Sequence, residues 1–312
     1  MKILVTGGAG FIGRWIVKKL LDKKCDVWVI DDLSNGRKEN VEEFEGNPCF
    51  KGLVEGSITN RNLVSDIFKK KFDICIHGAA VIEVQDSINN PAKAVEVNVN
   101  GTFNILEESR RHKTKLVLIS TCMIYDLAGS NGAINENHAT KPLSPYAASK
   151  LAAEEIALAY HYSYGLPVVV LRPFNVYGPF QKSNMEGGVV SIFIEKNLKN
   201  EKLNVFGDGS QTRDLLYAED CADFVVKASF SEKAIGEIIN AGTGKDIAIK
   251  ELAYLISNDK NKIEFVPHHH PQAEIRKLTC DFLKAKEIFG WEPKTGLKEG
   301  IKKTEEWLRN RK

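Results

Sequence analysis

Residues 2–13 read KILVTGGAGFIG, and this stretch decides the fold of the chain. Its short apolar run is typical of a buried parallel strand, and Gly7, Gly10 and Gly13 follow at three-residue spacing. Such glycines let the backbone turn tightly, approach a pyrophosphate and pack the next helix against the strand. The start of that helix supplies free amide donors and a partial positive charge. Because glycines also serve ordinary turns, the predicted dinucleotide site needs a second feature.

A pair of carboxylates supplies that feature. The second apolar run, Val27 to Ile30, ends in Asp31 and Asp32, where a carboxylate can accept hydrogen bonds from an adenosine ribose. A carboxylate about 4 Å from a 2'-phosphate is repelled by about 4 kcal/mol at an effective dielectric constant near 20. The pattern therefore favours NAD over NADP, although Arg37 acts in the opposite direction.

Composition limits the classes of partner. The chain has 312 residues, of which 43% are hydrophobic and 27% charged, so it can bury a large core in one big domain or two coupled lobes. The net charge of +2 comes from interspersed lysines and glutamates without a long basic block, which argues against a nucleic-acid surface. No apolar stretch has the length of a membrane span, and the first strand starts at residue 2. We expect a cytoplasmic protein with no nucleic-acid or membrane partner.

Cysteines and histidines do not indicate a metal site. The six cysteines are far apart and form no Cys-x-x-Cys pair, so we expect reduced and mostly buried thiols. His268 to His270 are adjacent in sequence, and three neighbouring residues cannot easily face one ion. We expect no bound metal, and interpret these histidines as a loop near a substrate phosphate.

Strand and helix patterns alternate along the chain. Apolar runs at 74–76, 116–119 and 168–171 are separated by amphipathic stretches such as 95–111. Strands without polar alternation are buried on both faces, which predicts an α/β fold with a doubly wound, Rossmann-type parallel sheet. After Phe174 the loops become rich in Gly, Asn and Pro, which indicates a smaller C-terminal lobe. The predicted division places 1–173 and about 214–242 in the dinucleotide-binding domain, and 174–213 and 243–312 in a substrate-binding lobe.

Tyr146 and Lys150 form the candidate catalytic pair. They lie four residues apart at the start of a helix-forming run, so both can point from one face into the cleft at the carboxyl ends of the strands. A tyrosine has a pKa of about 10, and acting as a base near neutral pH needs a decrease of roughly 3 pH units, or about 4 kcal/mol. The Lys150 ammonium and an oxidised nicotinamide are expected to provide it.

These motifs together carry a family resemblance. The glycine loop, Asp31, Thr121 and the Tyr146 to Lys150 pair occur in the order typical of the short-chain dehydrogenase/reductase superfamily. Nearly end to end, the chain resembles the extended branch, the NAD-dependent nucleotide-sugar epimerases and dehydratases. The resemblance implies that Thr121, Tyr146 and Lys150 are catalytic, with Thr121 bonding the reacting sugar hydroxyl and helping to pass its proton to Tyr146. The alternative for Thr121 is a strand-end residue that caps a loop.

The resemblance also implies an NAD site built from many short segments. Its strand-three segment usually carries an acidic residue, and Ser57 stands there in this chain, which alters the adenine contact. Asn98 resembles a helix asparagine behind the site. The implied cofactor-binding residues are Gly7, Gly10, Phe11, Ile12, Gly13, Asp31, Asp32, Asn35, Gly36, Ser57, Ile58, Ala79, Ala80, Asn98, Tyr146 and Lys150.

A nucleotide-sugar site follows in the same way. Asn175 resembles a residue on the sugar diphosphate, and Arg213 resembles the loop arginine that binds it, since a guanidinium engages phosphate in a fork. Arg213 has the alternative of a solvated surface charge. The usual second phosphate arginine is missing, and either Arg276 or His270 takes its place. The implied substrate-binding residues are Thr121, Cys122, Met123, Asn175, Val190, Arg213 and Arg276.

Two positions bear on the reaction. Dehydratases and decarboxylases of this family place a glutamate where Met123 stands, and dehydratases often add an aspartate where Cys122 stands. Elimination needs a base and an acid, and a methionine supplies neither. We therefore expect an NAD-dependent nucleotide-sugar 4-epimerase, with a UDP-sugar as the commonest family substrate. The alternatives are a dehydratase or related oxidoreductase that uses Cys122, and a non-catalytic NAD sensor.

The resemblance also implies a partner. Relatives in this family form dimers, so we expect a homodimer, which light scattering can test.

Overall fold

The computed structural model describes residues 1–126, 132–183, 187–267 and 276–310. Residues Glu96–Gly101 form a segment of π-helix, and short 3-10 turns occur elsewhere. The strands are β1 (Lys2–Thr6), β2 (Asp26–Asp31), β3 (Phe50–Glu55), β4 (Ile74–His77), β5 (Lys115–Ile119), β6 (Val168–Pro173), β7 (Asn175–Tyr177), β8 (Leu203–Phe206), β9 (Thr212–Tyr217), β10 (Ile238–Ala241), β11 (Asp246–Ala248) and β12 (Ile263–Val266). The helices are α1 (Phe11–Asp22), α2 (Glu39–Glu42), α3 (Arg61–Phe68), α4 (Val84–Asn89), α5 (Pro91–Val95), α6 (Thr102–His112), α7 (Pro145–Tyr164), α8 (Val189–Leu198), α9 (Ala218–Phe230), α10 (Ile249–Ser257), α11 (Leu283–Phe289) and α12 (Leu297–Asn310).

A seven-stranded parallel sheet forms the centre of the molecule, in the order β10-β6-β5-β4-β1-β2-β3. Strands β4, β5 and β6 are buried along their whole length because helices cover both faces. The predicted doubly wound Rossmann-type sheet is therefore confirmed. Its strand order reverses between β1 and β4, and ligands bind at such a reversal, outside the carboxyl ends of the strands.

Two small sheets lie outside the central one. Strands β11, β9 and β7 form the first, and β12 pairs with β8 in the second. A separate apolar cluster underlies them, with contributions from α8, α10 and α12. Helix α9 instead packs beside α1 of the large sheet. From this arrangement we propose that residues 1–173 and about 214–242 form the dinucleotide-binding domain and that 174–213 and 243–312 form the substrate-binding lobe.

The described structure differs from the predicted helix over 95–111 at one place. Residues 96–101 form a π-helix rather than an α-helix. The wider turn carries Asn98 inward and brings Gly101 against Ile58, where a Cβ atom on the glycine would lie 2.6 Å from the isoleucine side chain. π-Helical turns are frequent at functional sites, and this one lies behind the predicted cofactor loop.

Three further sequence-based expectations concern thiols, membranes and metals. All six cysteines are free, and five of them are buried, as predicted. None of the helices in the described part of the chain has both the length and the apolar composition that crossing a membrane requires. The described residues contain no group of three or more His, Cys, Asp or Glu side chains that would hold a metal ion. His268 to His270 lie outside the described residues.

Candidate active site

A large cavity of about 1190 Å³ opens at the carboxyl ends of β1, β4, β5 and β6. Its volume exceeds the range of about 300–1,000 Å³ that is typical for one drug-sized ligand. Most of the residues predicted for cofactor and substrate meet here. The predicted residues that line it are Gly7, Gly10, Phe11, Ile12, Gly13, Asp31, Asp32, Asn35, Gly36, Ser57, Ile58, Ala79, Ala80, Thr121, Cys122, Met123, Tyr146, Lys150, Asn175 and Arg213.

The glycine loop is a close-packed backbone cradle. Gly7 has a φ of +70°, and a Cβ atom there would lie 2.8 Å from the amide nitrogen of Ala79. A Cβ atom on Gly13 would lie 2.0 Å from the carbonyl oxygen of Gly7. Helix α1 begins after Gly10 with no acidic residue in its first turn, and its positive end faces the cavity. This geometry fits the pyrophosphate of a dinucleotide.

Asp31 closes the cradle at the end of β2. Its buried carboxylate accepts hydrogen bonds from the amides of Ala9 and Leu33, each at 2.9 Å. Burial raises the pKa of Asp31, and these backbone donors act in the opposite direction. A Cβ atom on Gly36 would lie 2.7 Å from the same carboxylate. Asp32 differs, because it is exposed and accepts hydrogen bonds from Ser34.

Thr121 and Tyr146 approach each other across the cavity floor. Thr121 follows β5 and accepts a hydrogen bond from the Met123 amide at 3.2 Å, so it also caps a short 3-10 turn. Ser144 caps the start of α7, which brings Tyr146 into the first turn and Lys150 into the second. Both side chains are buried, and the Lys150 ammonium donates to the carbonyl oxygen of Ile119 at 2.6 Å.

The protonation states of this pair depart from the sequence-based expectation. Burial raises the pKa of Tyr146 to about 12, against which a hydrogen bond with Thr121 acts. Burial also lowers the pKa of Lys150 to about 8. The protein alone therefore does not lower the pKa of Tyr146, because its burial dominates and Lys150 donates to Ile119. The positive charge of an oxidised nicotinamide is the contribution that NAD supplies when bound.

Three predicted residues do not line the cavity. Asn98 accepts from the Val81 amide at 2.8 Å and donates to Ser149 Oγ at 2.9 Å, so it ties the loop after β4 to helix α7 from behind. Val190 packs into the core of the small sheets, whereas Val189 on the same helix faces the cavity. Arg276 is exposed, and its carbonyl oxygen accepts from the Thr212 amide.

Arg213 and Asn175 line the opposite side of the cavity. Arg213 lies on β9 and donates to the Thr212 carbonyl at 2.8 Å. Its neighbour Asp214 is fully buried and accepts hydrogen bonds from the amides of Thr243, Gly244 and Cys280, which fixes this strand. The side-chain oxygen of Asn175 is buried and has no hydrogen-bond partner within the described residues. It therefore suits a donor on a bound ligand.

Sequence reasoning assigned no role to His77, a histidine beneath the cofactor loop. Thr102 donates to the Asn98 carbonyl at 2.6 Å, so it accepts from Nε2–H of His77, while Nδ1 of that ring accepts from Thr6. Thr6 in turn accepts from the Ala79 amide at 3.1 Å. Burial lowers the pKa of His77 to about 3, so the ring is neutral. A buried apolar run ending in His was the available signal, but its partners are distant in sequence.

Comparison with known proteins assigns the family. A family model described as the NAD dependent epimerase/dehydratase family matches residues 3–242. The chain belongs to this family. NAD is therefore the cofactor of the protein, in agreement with the glycine cradle and Asp31.

Several individual proteins are similar over nearly the whole chain. The X-ray structure of Pal from Bacillus thuringiensis is 55% identical, covers 99% of both chains and superposes with a TM-score of 0.97. The UDP-glucose 4-epimerase of Thermotoga maritima, solved with UDP-glucose, is 35% identical, covers 99% of both chains and has a TM-score of 0.93. A UDP-glucose 4-epimerase of Mycolicibacterium smegmatis is 36% identical over 100% of this chain and 99% of its own length. Relatives named as decarboxylases and dehydratases also match, so family membership does not fix the reaction.

Proposed function

We propose that the protein is a nucleotide-sugar 4-epimerase that acts on a UDP-sugar. The observation that carries this proposal is the chemistry of the cavity floor. Thr121, Tyr146 and Lys150 lie beside the dinucleotide cradle, while Met123 and Cys122 occupy the two neighbouring cavity positions. Methionine cannot transfer a proton. Burial raises the pKa of Cys122 to about 12, so its thiol stays protonated and does not act as a base.

Each of these residues has a separate role in the proposed reaction. Tyr146 accepts the proton of the sugar 4-hydroxyl, with Thr121 hydrogen-bonded to the same hydroxyl. Lys150 supplies a positive charge behind Tyr146, and Asn98 holds the loop and helix that carry these groups. NAD supplies a reversible hydride acceptor for carbon 4 when bound. The 4-keto sugar then rotates in the site so that its other face lies towards the cofactor. Tyr146 returns its proton to the oxygen, and carbon 4 regains its hydrogen in the opposite configuration.

Recognition of the nucleotide is assigned to the other side of the cavity. We propose that Arg213 binds the sugar diphosphate and that Asn175 accepts a hydrogen bond from the substrate. The half-buried guanidinium of Arg213 and the unsatisfied Asn175 oxygen support these roles. A homodimer and a second phosphate contact from Arg276 remain proposals on the resemblance alone.

A second candidate function follows from the Cys122 thiol. It lines the cavity near Tyr146 and stays protonated, so it can donate a proton even though it cannot remove one. In a 4-keto sugar the hydrogen on carbon 5 is acidic, and the enolate that a base forms by removing it takes up a proton again at carbon 5. A dehydratase or related reaction at carbon 5 would therefore use Cys122 as the acid that returns this proton and a different residue as the base.

A substrate panel tests the proposed function. Purified protein with NAD is incubated separately with UDP-glucose, UDP-N-acetylglucosamine, UDP-glucuronate and dTDP-glucose, and proton NMR identifies the products. We expect a product of unchanged mass and inverted carbon 4 configuration from at least one UDP-sugar. Tyr146→Phe is the matched control, and we expect it to lose about 100- to 10,000-fold in turnover while it still binds the nucleotide sugar. No conversion of any substrate by the wild-type protein would refute the proposal.

A further inference from the structure

Glu154 lies behind the catalytic pair, outside the cavity. Tyr146, Lys150 and Glu154 follow one another at four-residue spacing along α7, so they share one face of the helix. The side chain of Glu154 is fully buried, and it does not line the cavity. A buried carboxylate is costly unless it is paired and hydrogen-bonded. Its partners therefore show what it holds in place.

The first partner is a buried arginine from the neighbouring strand. Arg172 on β6 donates to Glu154 Oε2 from Nε at 3.1 Å and from Nη2 at 2.6 Å. The remaining nitrogen, Nη1, donates to the Tyr125 hydroxyl at 2.9 Å, and that hydroxyl donates to Asn240 at 2.7 Å. Strands β6 and β10 thus fix the position of the carboxylate from one side.

Glu154 also contacts the residue before Thr121 and lies one helical turn from Lys150. Ser120 Oγ donates a short hydrogen bond to Glu154 Oε1, and Ser120 is the chain neighbour of Thr121. Lys150 lies one helical turn away on α7. One buried carboxylate therefore contacts the strand end that carries Thr121 and faces the residue that carries the positive charge.

The charged groups around Lys150 show that Glu154 affects its protonation. His77 faces Lys150 from β4 and is neutral, and Tyr146 on the same helix is a protonated phenol. Arg172 on β6 brings a positive charge, which is paired with the Glu154 carboxylate at 2.6 Å. Within the described part of the chain, Glu154 is the carboxylate whose negative charge opposes the effect of burial on Lys150.

We propose that Glu154 is a positioning residue that keeps the Lys150 side chain charged and holds the Ser120 to Thr121 turn in place. The inference rests on the proposed role of Lys150, but not on which sugar is converted. Burial already brings the pKa of Lys150 down to about 8. Without the Glu154 charge this pKa falls further, and the ammonium is lost as the pH rises through neutrality. The positive charge behind Tyr146 would then be absent at working pH.

The direct test is a titration of Lys150 by NMR. Purified NAD-bound protein is labelled with 13C at lysine Cε, and the Lys150 resonance is assigned by its absence from Lys150→Arg. We expect Glu154→Gln, which keeps a hydrogen-bonding side chain but removes the charge, to lower the midpoint of Lys150 by about 1 pH unit or more. Glu155→Gln is the matched control, because Glu155 is the exposed neighbour on the same helix, and we expect no change. An unchanged midpoint in Glu154→Gln would overturn the proposal.

A second variant guards against failure to fold. Glu154→Gln leaves the Arg172 charge buried without its carboxylate, whereas the double variant Glu154→Gln, Arg172→Gln removes both charges. Because the Glu154 charge is the one that opposes the effect of burial on Lys150, we expect the Lys150 midpoint of this double variant to stay below that of the wild type. A midpoint equal to or above that of the wild type would contradict the inference.

Turnover separates this inference from the proposed function. If the wild type is an epimerase, its pH profile falls at high pH as Lys150 loses its proton, and in Glu154→Gln that fall moves to lower pH. A purely structural role would lower the melting temperature of Glu154→Gln and leave the profile in place. If the wild type converts no sugar, the proposed function fails, but the Lys150 titration still decides the role of Glu154.

Discussion

The two sides of the cavity are built in different ways. On the cofactor side, the phosphate cradle and Asp31 come from one contiguous loop and the strand next to it, and every predicted cofactor residue except Asn98 lines the cavity. The substrate side is assembled from segments far apart in sequence, and Val190 and Arg276 do not line it. A dinucleotide cradle is specified by local backbone geometry, whereas the opposite wall depends on how distant loops pack together.

The largest expected effect concerns the cofactor side. Asp31→Asn removes the charge of Asp31 but keeps an acceptor for one of its two backbone donors. If Asp31 excludes a 2'-phosphate, the ratio of NADP to NAD dissociation constants falls by about 100-fold or more, because a repulsion of about 4 kcal/mol is lost. Calorimetry with both cofactors measures this ratio. Asp26→Asn, at the other end of β2, is the control, and an unchanged preference in Asp31→Asn would show that selectivity lies elsewhere.

A smaller effect is expected on the substrate side. Arg213→Leu keeps the apolar stem of the side chain and removes the guanidinium. A hydrogen bond to a charged group contributes about 1.5–3 kcal/mol, so we expect KM for the UDP-sugar to rise by about 10- to 100-fold with NAD affinity unchanged. Lys245→Leu is the control, since Lys245 is an exposed cation that directly precedes the strand pairing with β9 and does not line the cavity. A KM within twofold of the wild-type value would indicate that Arg213 is a solvated surface charge and does not bind the diphosphate.

The predictable parts of the molecule are those with short-range patterns. Buried strands without polar alternation indicated the parallel sheet, and the Tyr146 to Lys150 spacing indicated a shared helix face, because both depend on the period of a single element. The structure places both residues on α7 and in the cavity. Short strands such as β10 and β12 were not predicted, since four-residue runs without a clear pattern carry little signal.

Tertiary contacts explain what the sequence did not predict. Glu154 resembles any glutamate in a helix until Arg172 and Ser120 meet it from neighbouring strands. The π-helix at 96–101 depends on the internal hydrogen bonds of Asn98 and the close approach of Gly101 to Ile58. The pKa of Tyr146 depends on its burial, which a spacing rule does not contain. Each of these features results from contacts between residues that are distant in the chain.

The central claim is that chemistry occurs at carbon 4 alone, and the fate of one hydrogen tests it. The wild-type protein is run in heavy water with the UDP-sugar that it converts, and mass spectrometry and proton NMR follow the product. A 4-epimerase moves the carbon 4 hydrogen away and back without exchange with solvent, so we expect inverted carbon 4, unchanged mass and no carbon-bound deuterium. Deuterium at carbon 5, with or without loss of water, would contradict the account and point to Cys122 as an acid.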